Sequence, residues 1–140
     1  AGGDRWTRSE LYGIRAQVAV RLGDLEQGDA LAEQSLKWLI EGDATGETEA
    51  MQSVAQVRIA QGRDAEAEAA YRHGAVVASG IEFTWPRTII AVEFAEFLAS
   101  RGRLEEAAAL LDEREPVLLT AGWHLWDGRI AAVRALIAQG

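Results

Sequence analysis

The stretch Leu98–Leu111, "LASRGRLEEAAALL", is a helical pattern broken by one glycine, Gly102. A near copy lies upstream at Arg58–Tyr71, "RIAQGRDAEAEAAY", with weaker echoes at Ala19–Ala32, "AVRLGDLEQGDALA", and Arg134–Gly140, "RALIAQG". Gly23, Gly62, Gly102 and Gly140 are therefore spaced by 39, 40 and 38 residues, within the range of stacked helical hairpins. Seven residues before the glycines stand Ala16, Ala55, Ala95 and Val133, and five before stand Val18, Val57, Phe97 and Ala135. Five residues after the first three come Gly28, Ala67 and Ala107, small side chains that let two helices approach closely.

A glycine between two helical patterns is explained as the left-handed residue that ends the first helix, with Asp24 and Asp64 then placed to cap the second. The pattern predicts helices near 7–22, 25–40, 46–61, 64–79, 86–101, 104–120 and 123–138. Thr7 and Glu10 have the spacing of a capping box at the first start. Pro86 suits a first helical position and biases Trp85 away from helix. Pro116 should bend or break the sixth helix before Val117, because it lacks a backbone donor.

Composition narrows the function classes. With 140 residues, 49% of them hydrophobic, the chain is expected to fold as one domain over 1–140. A net charge of -8 argues against direct nucleic-acid binding, which concentrates Lys and Arg on one surface. No apolar stretch approaches the roughly 18 residues of a membrane helix, and "AGGDRWTRSE" lacks the pattern of a secretion signal, so a cytoplasmic location without membrane contact is expected. The absence of cysteine removes disulfides and thiolate metal sites. Beginning without Met and stopping at a glycine after a helical pattern, the chain reads as part of a longer protein.

In "AQVRIAQGRDAEAEAAY", Ala55, Gly62, Ala67 and Tyr71 match the small, turn-glycine, small and aromatic positions of the tetratricopeptide-repeat superfamily, which the chain resembles over almost its whole length. Ala95, Gly102 and Ala107 extend the match, whereas Gly28 and Ala32 depart from the usual alanine and tyrosine. The longer period, and "AGWHLWDGRIAAVRALIAQG" at the end, look like the sensor arms of ATP-dependent bacterial transcriptional regulators of the LuxR and maltose-activator type. The resemblance implies an all-α fold, a right-handed α-α superhelix of helical hairpins, and a noncatalytic module that binds a protein, a peptide or other domains of its own chain.

Two sets of residues are candidates for that binding. Seventeen residues before the glycines lie Trp6, Thr45, Trp85 and Trp123. The indoles at Trp85 and Trp123 are either staples packed on their own helices or an aromatic edge that anchors a partner. The resemblance also implies that the first helix of each hairpin lines a concave face. Six before the glycines this gives Gln17, Gln56, Glu96 and Arg134, and ten before it gives Gly13, Gln52, Val92 and Ile130. Thirteen before stand Glu10, Glu49, Ile89 and Asp127, so a polar, mildly acidic groove is expected, or else a simply solvated face.

Catalytic and metal motifs are poor, and no cofactor is expected. "GDLEQGDA" has two glycines at phosphate-loop spacing, but Asp29 and Ala30 replace the lysine and hydroxyl residue that hold phosphate. His73 and His124 lack ligand spacing and suit surface or capping roles. The acidic clusters near Arg101, Arg103 and Arg114 read as solvated ion pairs. A small-molecule or peptide sensor pocket against Trp85 and Val92 is the rival function, and an enzyme ranks last. Ile130, Val133, Ala135, Leu136 and Ile137 on the last helix should leave apolar surface uncovered and favour weak self-association.

Overall fold

The computed structural model describes residues 2–82 and 84–140, and the described residues form an all-α protein without strands. The helices are α1 (Gly2–Arg21), α2 (Leu25–Lys37), α3 (Ala44–Ala60), α4 (Asp64–Ala78), α5 (Thr84–Ser100), α6 (Leu104–Ala121) and α7 (Asp127–Gln139). They divide into two compact units, Ala1–Ile81 and Glu82–Gly140. In the first, α1 pairs with α2 and α3 with α4, while α3 also packs on both α1 and α2. In the second, α5 pairs with α6, and α7 packs on both.

The corners form where the glycine spacing places them. Gly23, Gly62 and Gly102 have φ of 83°, 73° and 77°. At each, the glycine N–H donates to the carbonyl three residues back and the next N–H to the carbonyl five before it, as in Asp24 N to Ala19 O at 2.9 Å and Arg103 N to Leu98 O at 2.9 Å. These bonds satisfy the last carbonyls of the outgoing helix, and a residue with a Cβ would pay about 1–2 kcal/mol to hold that backbone. Gly122, at φ 69°, closes α6 in the same way. Gly140 is not among the left-handed glycines.

A triplet spaced i, i+3, i+7 marks how these helices dock. On α3 it is Ala50, Ser53 and Val57, all buried. Ser53 Oγ donates to Gly13 O at 3.2 Å, and Val57 joins a core cluster with Ala16, Ala19, Leu31 and Ala32. The contact is close: a Cβ at Gly13 would stand 3.0 Å from Ser53 Oγ, and one at Gly28 would stand 3.1 Å from Val20 Cγ2 and 3.7 Å from Val57 Cγ2. Gly28 is thus the glycine that the tight seam between α1, α2 and α3 requires. The corresponding residues of α5, Ile90, Glu93 and Phe97, are buried, and those of α7 are Ile130 and Val133, buried, and Ile137, half-buried. α5 is covered on nearly all sides, which accounts for its apolar run "TIIAVEFAEFLA".

Several sequence expectations need correction. α1 begins at Gly2, so Thr7 and Glu10 lie inside a helix and form no cap. α5 begins at Thr84, which makes Trp85 helical and puts Pro86 in the first turn, where the missing donor has no helical acceptor. Asp24 caps α2, its carboxylate accepting from Gln27 N at 3.1 Å, but Asp64 is the first residue of α4 and Arg63 occupies the cap without a side-chain bond to the helix backbone. Arg63 instead pairs with Glu66 at 2.6 Å, as Arg103 does with Glu106 at 2.8 Å. α6 is not broken at Pro116 but continues to Ala121, and α7 starts at Asp127 rather than at 123. Its packing on both α5 and α6 buries Ile130 and Val133, so the apolar surface left on α7 centres on Leu136, 45% exposed.

Candidate interaction surfaces

Three indoles meet in the second unit. Trp126 is the cap residue of α7 and is buried, at 3% exposure. Trp85, in the first turn of α5, meets it edge-on with ring centroids 4.7 Å apart and planes at 60°. Trp123, in the connection between α6 and α7, lies nearly parallel to it at 6.1 Å and 16°. The outer two stay 43% and 39% exposed. His124 Nδ1 lies 2.9 Å from Asp127 Oδ2 and ties this connection to the start of α7.

Both Trp85 and Trp123 were legible as candidates, but Trp126, which holds them, falls outside the column counted from the glycines. Its signal was local: "WHLW" sets two indoles three residues apart, and the chain between α6 and α7 brings them together. Trp6 lies well inside α1, at 46% exposure, so the column is not a uniform feature of helix entrances. The cause is that the helices start at unequal distances from their corners.

The residues expected on a concave face have varied surroundings. In the second unit, Val92 is a fully buried core residue and cannot line an open groove. Glu96 accepts from Arg129 Nη2 at 2.5 Å, joining α5 to α7. Arg134 donates to Asp112 at 2.6 Å and to Glu115 at 2.8 Å, joining α7 to α6. Those bonds, the one to Asp112 foremost, hold its guanidinium above the ordinary arginine range. In the first unit, Gln17 Nε2 donates to Ser53 Oγ at 2.9 Å, Gln52 is buried and Gln56 half-buried. Burial raises the Glu49 carboxyl above its ordinary value, with Glu10 and then Asp43 adding to the rise.

Arg114 departs from the solvated role its charged neighbours suggested. It is 4% exposed, its Nη2 reaches Thr88 Oγ1 only at 3.4 Å, and its Nε has no hydrogen-bond partner. Burial lowers its pKa, Arg87 lowers it further, and Glu113 opposes both. His73 keeps a surface position, its Nε2 2.8 Å from Glu47 Oε1.

Among the described residues no group of three or more His, Cys, Asp or Glu is placed to hold a metal ion, and no helix is long and apolar enough to cross a membrane. Comparison with family models, with curated proteins and with solved structures finds no match to this chain.

Proposed function

We propose that the chain is a noncatalytic interaction module of the tetratricopeptide-like kind, a right-handed α-α superhelix of helical hairpins, that binds a protein or peptide through the aromatic edge at Trp85 and Trp123. One observation carries this: two indoles, each about two-fifths exposed, are held in place by a third that is buried. Rings already fixed lose little freedom on binding, and tryptophan is enriched among the residues that dominate interface energies. The sensor-pocket alternative needs open apolar surface at Val92, which is buried.

The resemblance to sensor arms supports a place in a multidomain bacterial transcriptional regulator acting in the cytoplasm, the partner being another domain of the same chain or a separate protein. Gln17, Gln52 and Gln56 would supply polar contacts, and Glu96 and Arg134 would contribute only by exchanging their present ion pairs. The test is selection from a peptide library displayed on phage, with the 140-residue chain as bait. Enriched peptides should share an apolar motif and lose at least about tenfold in affinity with Trp123→Ala or Trp85→Ala, as expected of an interface anchor. No enrichment, or binders indifferent to both substitutions, would overturn the proposal.

A further inference from the structure

The outward face of α1 breaks the rule that the other triplets obey. Leu11, Ile14 and Val18 have the same i, i+3, i+7 spacing, 39 residues before Ala50, Ser53 and Val57, yet they are 52%, 50% and 47% exposed. Leu22 extends the stripe at 80%. At about 100° per residue, Arg15 flanks one rim of the stripe, and Arg21 flanks the other, which Glu10 shares about three turns towards the N-terminus. Arg15 stacks over Tyr12, and neither arginine has a carboxylate partner among the described residues. Arg5 and Arg8 of the same helix lie over Trp38, whereas Arg58, Arg63, Arg129 and Arg134 are ion-paired, in a chain whose net charge is -8.

We propose that this face docks an acidic amphipathic helix of a protein partner, its apolar side on the Leu11–Leu22 stripe and its carboxylates on Arg15 and Arg21. The α3 triplet shows what such a face accepts, since it is covered by a neighbouring helix pair. A second copy is a poor occupant because its own α3 already fills the pair that would receive the stripe. Leu11 and Ile14 are also bulkier than the Ala50 and Ser53 that this seam admits. A lipid surface fits less well, because the opposite side of α1 is committed to α2 and α3 and only a narrow stripe remains. The face belongs to the first unit and the aromatic edge to the second, so the inference stands or falls apart from that proposal.

The experiment is fluorescence anisotropy with the full chain and two labelled synthetic helices. Both carry leucine at heptad positions a and d, one with glutamate and the other with lysine at e and g. The glutamate helix should bind saturably and the lysine helix at least about tenfold more weakly, in keeping with opposed charges at the rim. Ile14→Glu should weaken the glutamate helix about tenfold or more, and the double variant Arg15→Glu, Arg21→Glu should exchange the preference, both with unchanged thermal melts. If Ile14→Glu alters the melt, the double variant at its two exposed positions decides. Absence of saturable binding, equal binding of the two helices, or indifference to both variants overturns the proposal. So does binding to phosphatidylserine vesicles, or self-association in sedimentation, that Ile14→Glu abolishes while neither helix binds.

Discussion

Removing the buried indole at Trp126 separates a held aromatic cluster from three independent rings. Tryptophan buries about 150–250 Å2, which at about 25 cal/mol per Å2 is roughly 4–6 kcal/mol, and measured truncations of buried tryptophan cost about 3–5 kcal/mol. Trp126 is 3% exposed, so Trp126→Ala should fall in that measured range. Trp85 and Trp123, at 43% and 39% exposure, bury about three-fifths as much of their area and should cost roughly 2–3 kcal/mol each by the same scaling. Trp126→Phe, which keeps a ring in the slot, should lose about 1–2 kcal/mol. Urea titrations followed by circular dichroism give these differences from the midpoint shift, provided the slope is unchanged. If Trp126→Ala costs no more than Trp123→Ala, Trp126 is not the residue that holds the edge.

A Cβ at Gly62 would meet nothing within 4 Å, so the cost of substitution there is conformational: Gly62→Val should lose about 1–2 kcal/mol or more while Gly62→Asn recovers part of it, and equal stabilities in denaturant would refute the left-handed corner. Because the folded chain holds the Glu49 proton more tightly than the unfolded chain, stability should fall as pH rises from the ordinary carboxylate range through the raised folded value and then level off. Glu49→Gln should remove that slope and exceed the original chain in stability at neutral pH, which urea midpoints across a pH series would show. Arg114→Met should be neutral or stabilising, since it replaces a buried cation whose Nε is unpartnered, and a loss above about 2 kcal/mol in a urea titration would mean that the guanidinium is better satisfied than its contacts indicate. Any dimer seen by sedimentation at high concentration should dissociate in Leu136→Glu if α7 carries it, and its persistence would move the contact elsewhere.

The helices and three of the corners were legible because glycine in the left-handed region is a local requirement, written in one residue and its spacing. Trp85 and Trp123 could be picked out for the same reason, as rare residues at a shared count. What escaped depends on contacts between segments. Trp126 is buried because two other indoles close over it, and nothing in "WHLW" says which of its rings turns inward. Arg114 sits among charged neighbours in sequence, yet α5 brings Thr88 against it and removes it from solvent. Glu96 and Arg134 were readable as polar positions on first helices, but their partners, Arg129 on one side and Asp112 with Glu115 on the other, come from helix pairings that the count could not supply.

The register of α7 shows which feature governs docking. Counted from Gly140, the positions twelve, nine and five residues earlier are Gly128, Ala131 and Ala135, and all three are exposed. The residues α7 actually turns inward, Ile130, Val133 and Ile137, lie 40 residues after Ile90, Glu93 and Phe97, which lie 40 after Ala50, Ser53 and Val57. A corner glycine fixes only where the chain turns, whereas a triplet at helical spacing fixes which face is removed from water. When the two disagree, as they do at Gly140, the burial follows the triplet. By that criterion Leu11, Ile14 and Val18 carry the docking pattern with larger apolar side chains than α3 uses, and they carry it in water. A partner for α1 should therefore be sought by the apolar face of that triplet and the two arginines beside it, and not by the surface of α7, where the equivalent residues are already largely covered.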